Sequence, residues 1–293
     1  MPTVNKQKVT PPTRDITAKP GSLLSLAKPV NELENQWIKL CTYGENRVGK
    51  TTLACQFEKP LILIAMEPNQ TGGAVSVRKI PGIDYIRITS SKDGNQLARE
   101  LRGSHYKTAV IDSATSYQDI ILTEIMGLEQ APEMLAWGIV SMDQYRERSE
   151  KTRECLRPFL NLEMNVIVTA KQRDHNRQDK SKPKILGGLE LESYFAADLG
   201  GATTGWLHDA CDYICRLYIE KETKEVETKM TIGGKEKVSK SVQETGKLVR
   251  RLQTMYHPNF AGGFRSDTPN MVPEFIQDPN YAKIMKVIRG EKL

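Results

Sequence analysis

The sequence predicts an α/β protein with a mostly parallel central sheet flanked by helices. Two observations predict this class: short continuous apolar runs, which suit strands buried on both faces, and stretches of helical periodicity between them. A chain of 293 residues is long enough for one large domain of this class with appendages. The predicted strands cover residues 37–43, 60–66, 83–89, 108–111, 165–169 and 213–219.

The strands and the segments around them divide the chain into three parts. Residues 1–34 are rich in Pro, Thr and Lys, which predicts a disordered arm. An apolar patch at residues 23–27 of that arm could dock onto a neighbouring subunit or pack on its own domain. Residues 35–220 hold the predicted strands and form the core. Residues 221–293 are predicted to be an extension on or beside the core that begins with a β-hairpin around Gly233-Gly234.

Composition narrows the class of protein. A net charge of +6 indicates a polyanionic partner. The five cysteines are scattered, and His208, Cys211 and Cys215 match the spacing of no common zinc site, so ordinary packing is the preferred interpretation. This cysteine usage fits a reducing compartment, and no apolar run is long enough to span a bilayer. We therefore expect a cytoplasmic protein without a membrane partner.

A glycine-rich loop joins the first predicted strand to a predicted helix. Residues 44–51 read G-E-N-R-V-G-K-T, a complete phosphate-binding loop motif. Its backbone N–H groups suit a polyphosphate, with Lys50 reaching the β- and γ-phosphates and the Thr51 hydroxyl binding magnesium. The expected cofactors are therefore ATP and Mg²⁺. The predicted nucleotide-binding residues are Gly44, Glu45, Asn46, Arg47, Val48, Gly49, Lys50, Thr51 and Thr52.

Three further polar groups follow predicted strands, where ligands of open parallel sheets bind. Glu67 could polarise the water that attacks the γ-phosphate, or it could be a solvated loop residue. Asp112 ends an apolar strand in the Walker B pattern and is predicted to hold Mg²⁺. Lys171 and Gln172 end a later strand, and either could sense the γ-phosphate, although loop residues facing water would look the same.

A basic segment follows at residues 171–184, with six Lys or Arg against two acids. We interpret it as a flexible loop beside the nucleotide site, able to neutralise nucleic-acid phosphates, although a solvated surface has the same composition. The candidate DNA-binding residues are Arg173, Arg177, Lys180, Lys182 and Lys184.

Together these motifs resemble the RecA-like branch of P-loop NTPases. The size and motif order are most similar to compact phage-encoded ATPases of single-strand-annealing recombination, which have a helix like that at residues 136–138 after Walker B. The resemblance covers residues 36–220 and implies a RecA-like core in which Glu67 is the catalytic glutamate and Gln172 lies near the sensor glutamine. The strand before Gln172 ends in Ala-Lys-Gln where bacterial recombinases have Asn-Gln.

The resemblance also implies a homo-oligomer, a ring or a filament, with ATP at subunit interfaces and a cation supplied by the neighbour. The candidates for that cation are Arg250, Arg251 and Arg265.

The leading functional hypothesis is an ATPase that acts on single-stranded DNA in phage-type recombination or repair, in the bacterial host cytoplasm. A single-strand-binding or other replication protein would be a further partner. The alternative is a nucleotide-switched adaptor or loader for a DNA-processing protein, with weak hydrolysis. A small-molecule kinase is the third hypothesis, and it is disfavoured because the chain has no obvious lid.

Overall fold

A computed structural model describes residues 37–66, 72–128, 140–178, 191–232 and 235–293. These residues contain ten strands, six helices and two 3₁₀ turns, Gly72–Ser76 and Pro269–Met271. The strands are β1 (Lys39–Gly44), β2 (Leu61–Ala65), β3 (Ile83–Arg87), β4 (Thr108–Asp112), β5 (Asn165–Gln178), β6 (Leu191–Ala197), β7 (Tyr213–Ile232), β8 (Lys235–Gln253), β9 (Gly263–Phe264) and β10 (Phe275–Gln277). The helices are α1 (Lys50–Ala54), α2 (Ser91–Glu100), α3 (Ala114–Ile125), α4 (Met142–Leu160), α5 (Gly201–Ala210) and α6 (Tyr281–Ile288).

The strands form one sheet in the order β10-β8-β7-β1-β5-β4-β2-β3, with β6 paired to β5 and β9 paired to β7. Neighbours from β7 to β3 are parallel, whereas β8, β10, β6 and β9 pair antiparallel. The predicted α/β class with a mostly parallel sheet is therefore confirmed. Among the helices in the described ranges, none is long and apolar enough to cross a membrane.

The central strands are buried on both faces, which explains their continuous apolar runs. Ala109 and Ile111 of β4 point into one hydrophobic cluster, and Val110 between them points into the other. The first cluster includes buried residues of α2, α3, α4 and α5, and the second includes those of α1 and α6. Because successive side chains of a strand point to opposite faces, most residues of such a strand are apolar, and the few polar ones, such as Thr42 and Thr108, are buried as well.

Strand order brings the predicted motifs to one edge of the sheet. β5 lies between β1 and β4, and the register pairs Gly44 of β1 with Lys171 of β5. β2 lies on the other side of β4, with Ala65 opposite Asp112. The glycine-rich loop, the Walker B acid and the polar end of β5 therefore share the carboxyl edge of the parallel strands.

The interpretation of residues 171–184 as a flexible loop is wrong for its first half. β5 continues to Gln178 and pairs antiparallel with β6, with Gln172 opposite Ala197 and Gln178 opposite Leu191. The sequence did not reveal this because the side chains turn polar after Ala170, whereas pairing with β6 supplies the backbone hydrogen bonds. Arg173 and Arg177 thus lie on a strand. Lys180, Lys182 and Lys184 lie outside the described residues.

The predicted C-terminal hairpin is confirmed, and its strands belong to the main sheet. β7 and β8 pair antiparallel from Arg216 opposite Gln253 to Ile232 opposite Lys235. The boundary expected after residue 220 falls inside β7, whose first residues pair with β1. The N-terminal arm, with its patch at residues 23–27, and the segment at 136–138 lie outside the described residues.

Candidate nucleotide-binding site

The phosphate-binding loop leaves β1 at Gly44 and enters α1 after Gly49. A Cβ atom at Gly44 would lie 2.1 Å from the Leu217 carbonyl oxygen of β7, so close strand packing requires glycine here. Gly49 has a φ of 98°, in the left-handed region that favours glycine. The backbone therefore explains why both positions of the motif are glycine: position 44 has no room for a side chain, and position 49 has a left-handed conformation.

The side chains of the loop divide between the core and the solvent. Val48 is buried in one hydrophobic cluster, whereas Glu45, Asn46 and Arg47 are exposed. Lys50 Nζ donates hydrogen bonds to the carbonyl oxygens of Gly44, at 3.0 Å, and Glu45, at 2.6 Å. The lysine ammonium therefore lies against the first residues of the loop, and its role in binding the phosphates stays a prediction.

Two threonine hydroxyls hold the Walker B carboxylate. Thr51 Oγ1 donates to Asp112 Oδ2 at 2.9 Å, and Thr169 Oγ1 donates to Asp112 Oδ1 at 2.6 Å. Asp112 is only 5% exposed. Thr169 was not among the site residues predicted from the sequence, where the one signal for it is a hydroxyl at the end of an otherwise apolar strand.

This donor set fits Mg²⁺. A hard cation binds carboxylate and hydroxyl oxygens and keeps several waters, so Thr51 and Asp112 could hold it while a nucleotide supplies phosphate oxygens. Thr169 would orient Asp112 from behind.

The 3₁₀ turn Gly72–Ser76 packs against the same two residues. A Cβ atom at Gly73 would lie 2.5 Å from Thr51 Oγ1 and 2.6 Å from Asp112 Oδ2. Ser76 Oγ donates to the Gly73 carbonyl oxygen at 2.7 Å and lies 3.5 Å from Thr52 Oγ1. The turn therefore forms one wall of the site, and only glycine fits at position 73.

Glu67 lies outside the described residues, so its catalytic role stays a prediction. The residue before it, Met66, lies beside the Walker B acid, because its N–H donates to the Asp112 carbonyl oxygen at 2.9 Å.

Gln172 is held by an arginine that sequence analysis did not select. Arg216 Nε of β7 donates to Gln172 Oε1 at 2.8 Å. The guanidinium carbon of Arg216 lies 3.8 Å from the centroid of the Phe260 ring. Burial lowers the pKa of this guanidinium. Because Tyr43 pairs with Arg216 and Gly44 pairs with Lys171, this side-chain pair spans β1 directly beneath the loop.

Lys171, the other sensor candidate, lies near α3. Its backbone N–H donates to Thr115 Oγ1 at 3.1 Å. The pKa of Asp119 in α3 is raised to about 6, chiefly by burial and in part by the Asp198 carboxylate, while Lys171 and Arg148 oppose the rise. The two sensor candidates therefore face different surroundings: Gln172 contacts β7, and Lys171 lies near a charged cluster.

The three candidate arginines occupy different places. Arg251 forms an ion pair with Glu220 and lies over the Phe275 ring, with its guanidinium carbon 4.0 Å from the ring centroid. Arg265 forms an ion pair with Asp212 at 3.0 Å and also donates to the Asp209 carbonyl oxygen. Arg250 lies beside Gly49 of its own chain. That any of the three reaches the nucleotide of a neighbouring subunit stays a prediction.

The sheet order and the loop with its Walker B partner define a P-loop NTPase of RecA-like fold. The AAA domain family matches residues 36–255, and the chain belongs to this family. No curated protein sequence matches the chain significantly.

Solved structures that are similar to the chain include the following two, each at low sequence identity. A KaiC-like protein from Pyrococcus horikoshii OT3 shares 13% identity, with a TM-score of 0.33 over 82% of this chain and 88% of that chain. The flagellar accessory protein FlaH from Methanocaldococcus jannaschii shares 11% identity, with a TM-score of 0.32 over 82% of this chain and 85% of that one. At these TM-scores the two likenesses carry no argument about function.

Proposed function

We propose that this protein binds ATP with Mg²⁺ and hydrolyses it. The observation that carries the proposal is the position of Asp112, held by Thr51 and Thr169 beside a complete phosphate-binding loop. A buried carboxylate hydrogen-bonded to the loop threonine fits a magnesium-bound triphosphate, because these two oxygen ligands would hold the metal beside the phosphates.

The residues at the carboxyl ends of the parallel strands would have different roles in ATP binding and hydrolysis. The loop amides and Lys50 would bind the phosphates, and Thr51 with Asp112 would hold the metal, which neutralises charge on the phosphates. Glu67 would take the proton of the attacking water as a general base. Gln172, positioned by Arg216, would contact the γ-phosphate and respond to its loss.

We further propose that the protein acts on single-stranded DNA as an oligomer in phage-type recombination or repair. Two features support this proposal: the net charge of +6 and the basic residues that begin directly after Lys171-Gln172. Arg173 is exposed, although its Nη1 atom lies 3.6 Å from Asp198 Oδ1. A surface ion pair of this kind is weak, so phosphates can compete for the guanidinium.

Nucleotide binding is tested by calorimetry on Lys50→Ala. We expect the variant to lose tight ATP binding with an unchanged fold, because Lys50 fills no core position. Lys92→Ala removes an exposed lysine of α2 and is the matched control, with affinity like wild type. Equal ATP affinity of Lys50→Ala and wild type would reject the site.

Hydrolysis is tested by steady-state turnover with and without single-stranded DNA at two salt concentrations. Glu67→Gln should bind ATP normally and turn over about a hundredfold more slowly. Turnover equal to wild type would make Glu67 a loop residue. If wild type itself binds ATP but barely hydrolyses it, with or without DNA, the protein is a nucleotide-switched adaptor.

A further inference from the structure

Arg250 lies where the C-terminal hairpin passes the phosphate-binding loop of the same chain. Its backbone is fixed on two sides: it pairs with Ile219 of β7, and its carbonyl oxygen accepts a hydrogen bond from the Asp278 N–H at 2.7 Å. Val249 and Leu252 in the same strand are buried, whereas the Arg250 side chain is exposed. A rigid strand therefore presents this guanidinium to the solvent beside the loop.

The guanidinium lies beside the second glycine of the loop motif, Gly49. Arg250 Nη1 lies 3.0 Å, and its Cδ lies 3.9 Å, from the position that a Cβ atom of residue 49 would occupy. Gly49 directly precedes Lys50 and is the N-cap of α1. Two cations of one chain, Lys50 and Arg250, thus flank this glycine.

The other two candidate arginines are held by groups of their own. Arg251 is bound to Glu220 and is only 18% exposed, so breaking this ion pair would leave a largely buried guanidinium without its partner. Arg265 is bound to Asp212, the residue before β7. The loop lies farther along, beside Arg216 of β7, because β7 runs parallel to β1. Arg265 is therefore held at the end of β7 that is away from the loop.

We propose that Arg250 binds the phosphate groups of the nucleotide held by the loop of its own chain. A guanidinium donates paired hydrogen bonds to phosphate oxygens, and these charge-assisted hydrogen bonds are strong. The inference rests on the proposed nucleotide binding of the loop. It differs from the expectation drawn from the sequence, in which Arg250 would reach the nucleotide of a neighbouring subunit.

The first test measures affinity for a non-hydrolysable ATP analogue by calorimetry. Arg250→Ala should weaken binding roughly tenfold to a hundredfold, as expected for loss of a hydrogen-bonded charge, and Arg250→Lys should weaken it less. Lys247→Ala removes the same charge from an exposed position of the same strand and should stay within about twofold of wild type. Arg250→Ala with wild-type affinity, or an equal loss in Lys247→Ala, would overturn the proposal.

The second test separates a cation of the same chain from one of a neighbour. In an equimolar mixture of Arg250→Ala and Lys50→Ala, every chain lacks one of the two cations. Turnover should therefore stay as low as in the two variants alone. Recovery of turnover toward wild type would mean that Arg250 acts across an interface, and it would overturn the proposal.

Failure of the proposed function gives a different result. If wild type binds no nucleotide, or if Lys50→Ala binds as tightly as wild type, both the nucleotide site and the role of Arg250 are rejected. If Lys50→Ala abolishes binding while Arg250→Ala leaves it unchanged, only the role of Arg250 is rejected.

Discussion

Gly73 is a residue whose importance only the three-dimensional structure reveals. Position 73 faces both residues predicted to bind magnesium, at distances that leave no room for a methyl group. We expect Gly73→Ala to displace Thr51 or Asp112 and to lower the magnesium affinity at least tenfold, because a clash below 3.0 Å forces one of the partners to move. The measurement is a titration of nucleotide binding against Mg²⁺ concentration.

The control for Gly73→Ala is the same substitution in open space. A Cβ atom at Gly205 in α5 would have no neighbour within 4 Å, so Gly205→Ala should leave magnesium dependence unchanged. If Gly73→Ala also matches wild type, the turn yields easily and does not shape the metal site.

Asp119 links stability to pH. Its pKa is raised from 3.8 to about 6, mainly by burial. Between pH 3.8 and about pH 6, the folded chain therefore keeps a proton on Asp119 that the unfolded chain has lost. Folding is therefore favoured below this range, and stability decreases as the pH rises through it. At neutral pH the buried charge costs up to about 3 kcal/mol.

We expect Asp119→Asn to remove this dependence, because the amide resembles the protonated acid and carries no charge. Urea unfolding at pH 5 and pH 7.5 should show a variant that gains stability relative to wild type as the pH rises. Asp267→Asn changes an exposed acid and is the control. A stability difference that stays constant between the two pH values would contradict the assigned role of Asp119.

Among the strands, sequence prediction succeeded where burial dictated the residues. All six predicted strands are present, and most of them are central strands that are covered on both faces and are therefore mainly apolar. It failed where a partner strand supplies the stabilisation: β5 runs nine residues beyond Thr169 on pairing with β6. The order of strands cannot be read from local pattern, so Thr169 was not seen as a partner of Asp112.

The C-terminal hairpin was predicted to lie on or beside the core, and a substitution in β8 tests how much this strand contributes to the stability of the core. Leu252 of β8 is fully buried and pairs with Leu217 of β7. Leu252→Ala should therefore lower the free energy of unfolding by about 2–5 kcal/mol, the cost of a cavity in a packed core. Chemical denaturation measures it.

The same substitution in the same strand provides the control. Leu248 is 66% exposed, and Leu248→Ala should change the unfolding free energy by less than about 0.5 kcal/mol. Equal, small effects of the two substitutions would mean that β8 contributes little to the core and behaves as an appended excursion.

Across the whole molecule, the candidate site depends on strand order more than on any one motif. The loop follows β1, the acid ends β4, and β5 between them contributes Thr169 and Gln172. Motif matching identified the loop and the acid because their chemistry demands fixed residue types. Sequence analysis missed Arg216, Gly73 and the position of Arg250 beside its own loop, because arginine and glycine are common and their roles here come only from long-range packing.

The same arrangement connects the nucleotide to the predicted DNA-binding residues. Gln172, at the proposed γ-phosphate position, is followed at once by Arg173 on the β5–β6 ribbon. A change at the phosphate could therefore shift the basic residues through one rigid strand. We expect tighter single-strand binding with a non-hydrolysable ATP analogue than with ADP, and a reciprocal rise in ATP affinity when DNA is present.

The last prediction removes four of those basic residues at once. The logarithm of single-strand affinity falls linearly with the logarithm of salt concentration, with a slope of about 0.7 for each DNA phosphate that the protein neutralises. The fourfold variant should therefore flatten this slope by up to about 3, while ATP binding without DNA stays intact. The substituted residues are Arg173, Arg177, Lys180 and Lys182.

The control for the fourfold variant removes the same charge from exposed positions elsewhere. These positions lie in α2, its C-terminal turn, α4 and α6, namely Lys92, Arg102, Arg146 and Lys286. Because the two variants have the same net charge, a general effect of charge would weaken DNA binding equally in both. A flatter slope in the first variant alone assigns DNA binding to the segment after Gln172, and equal slopes in both variants would leave that segment a solvated surface.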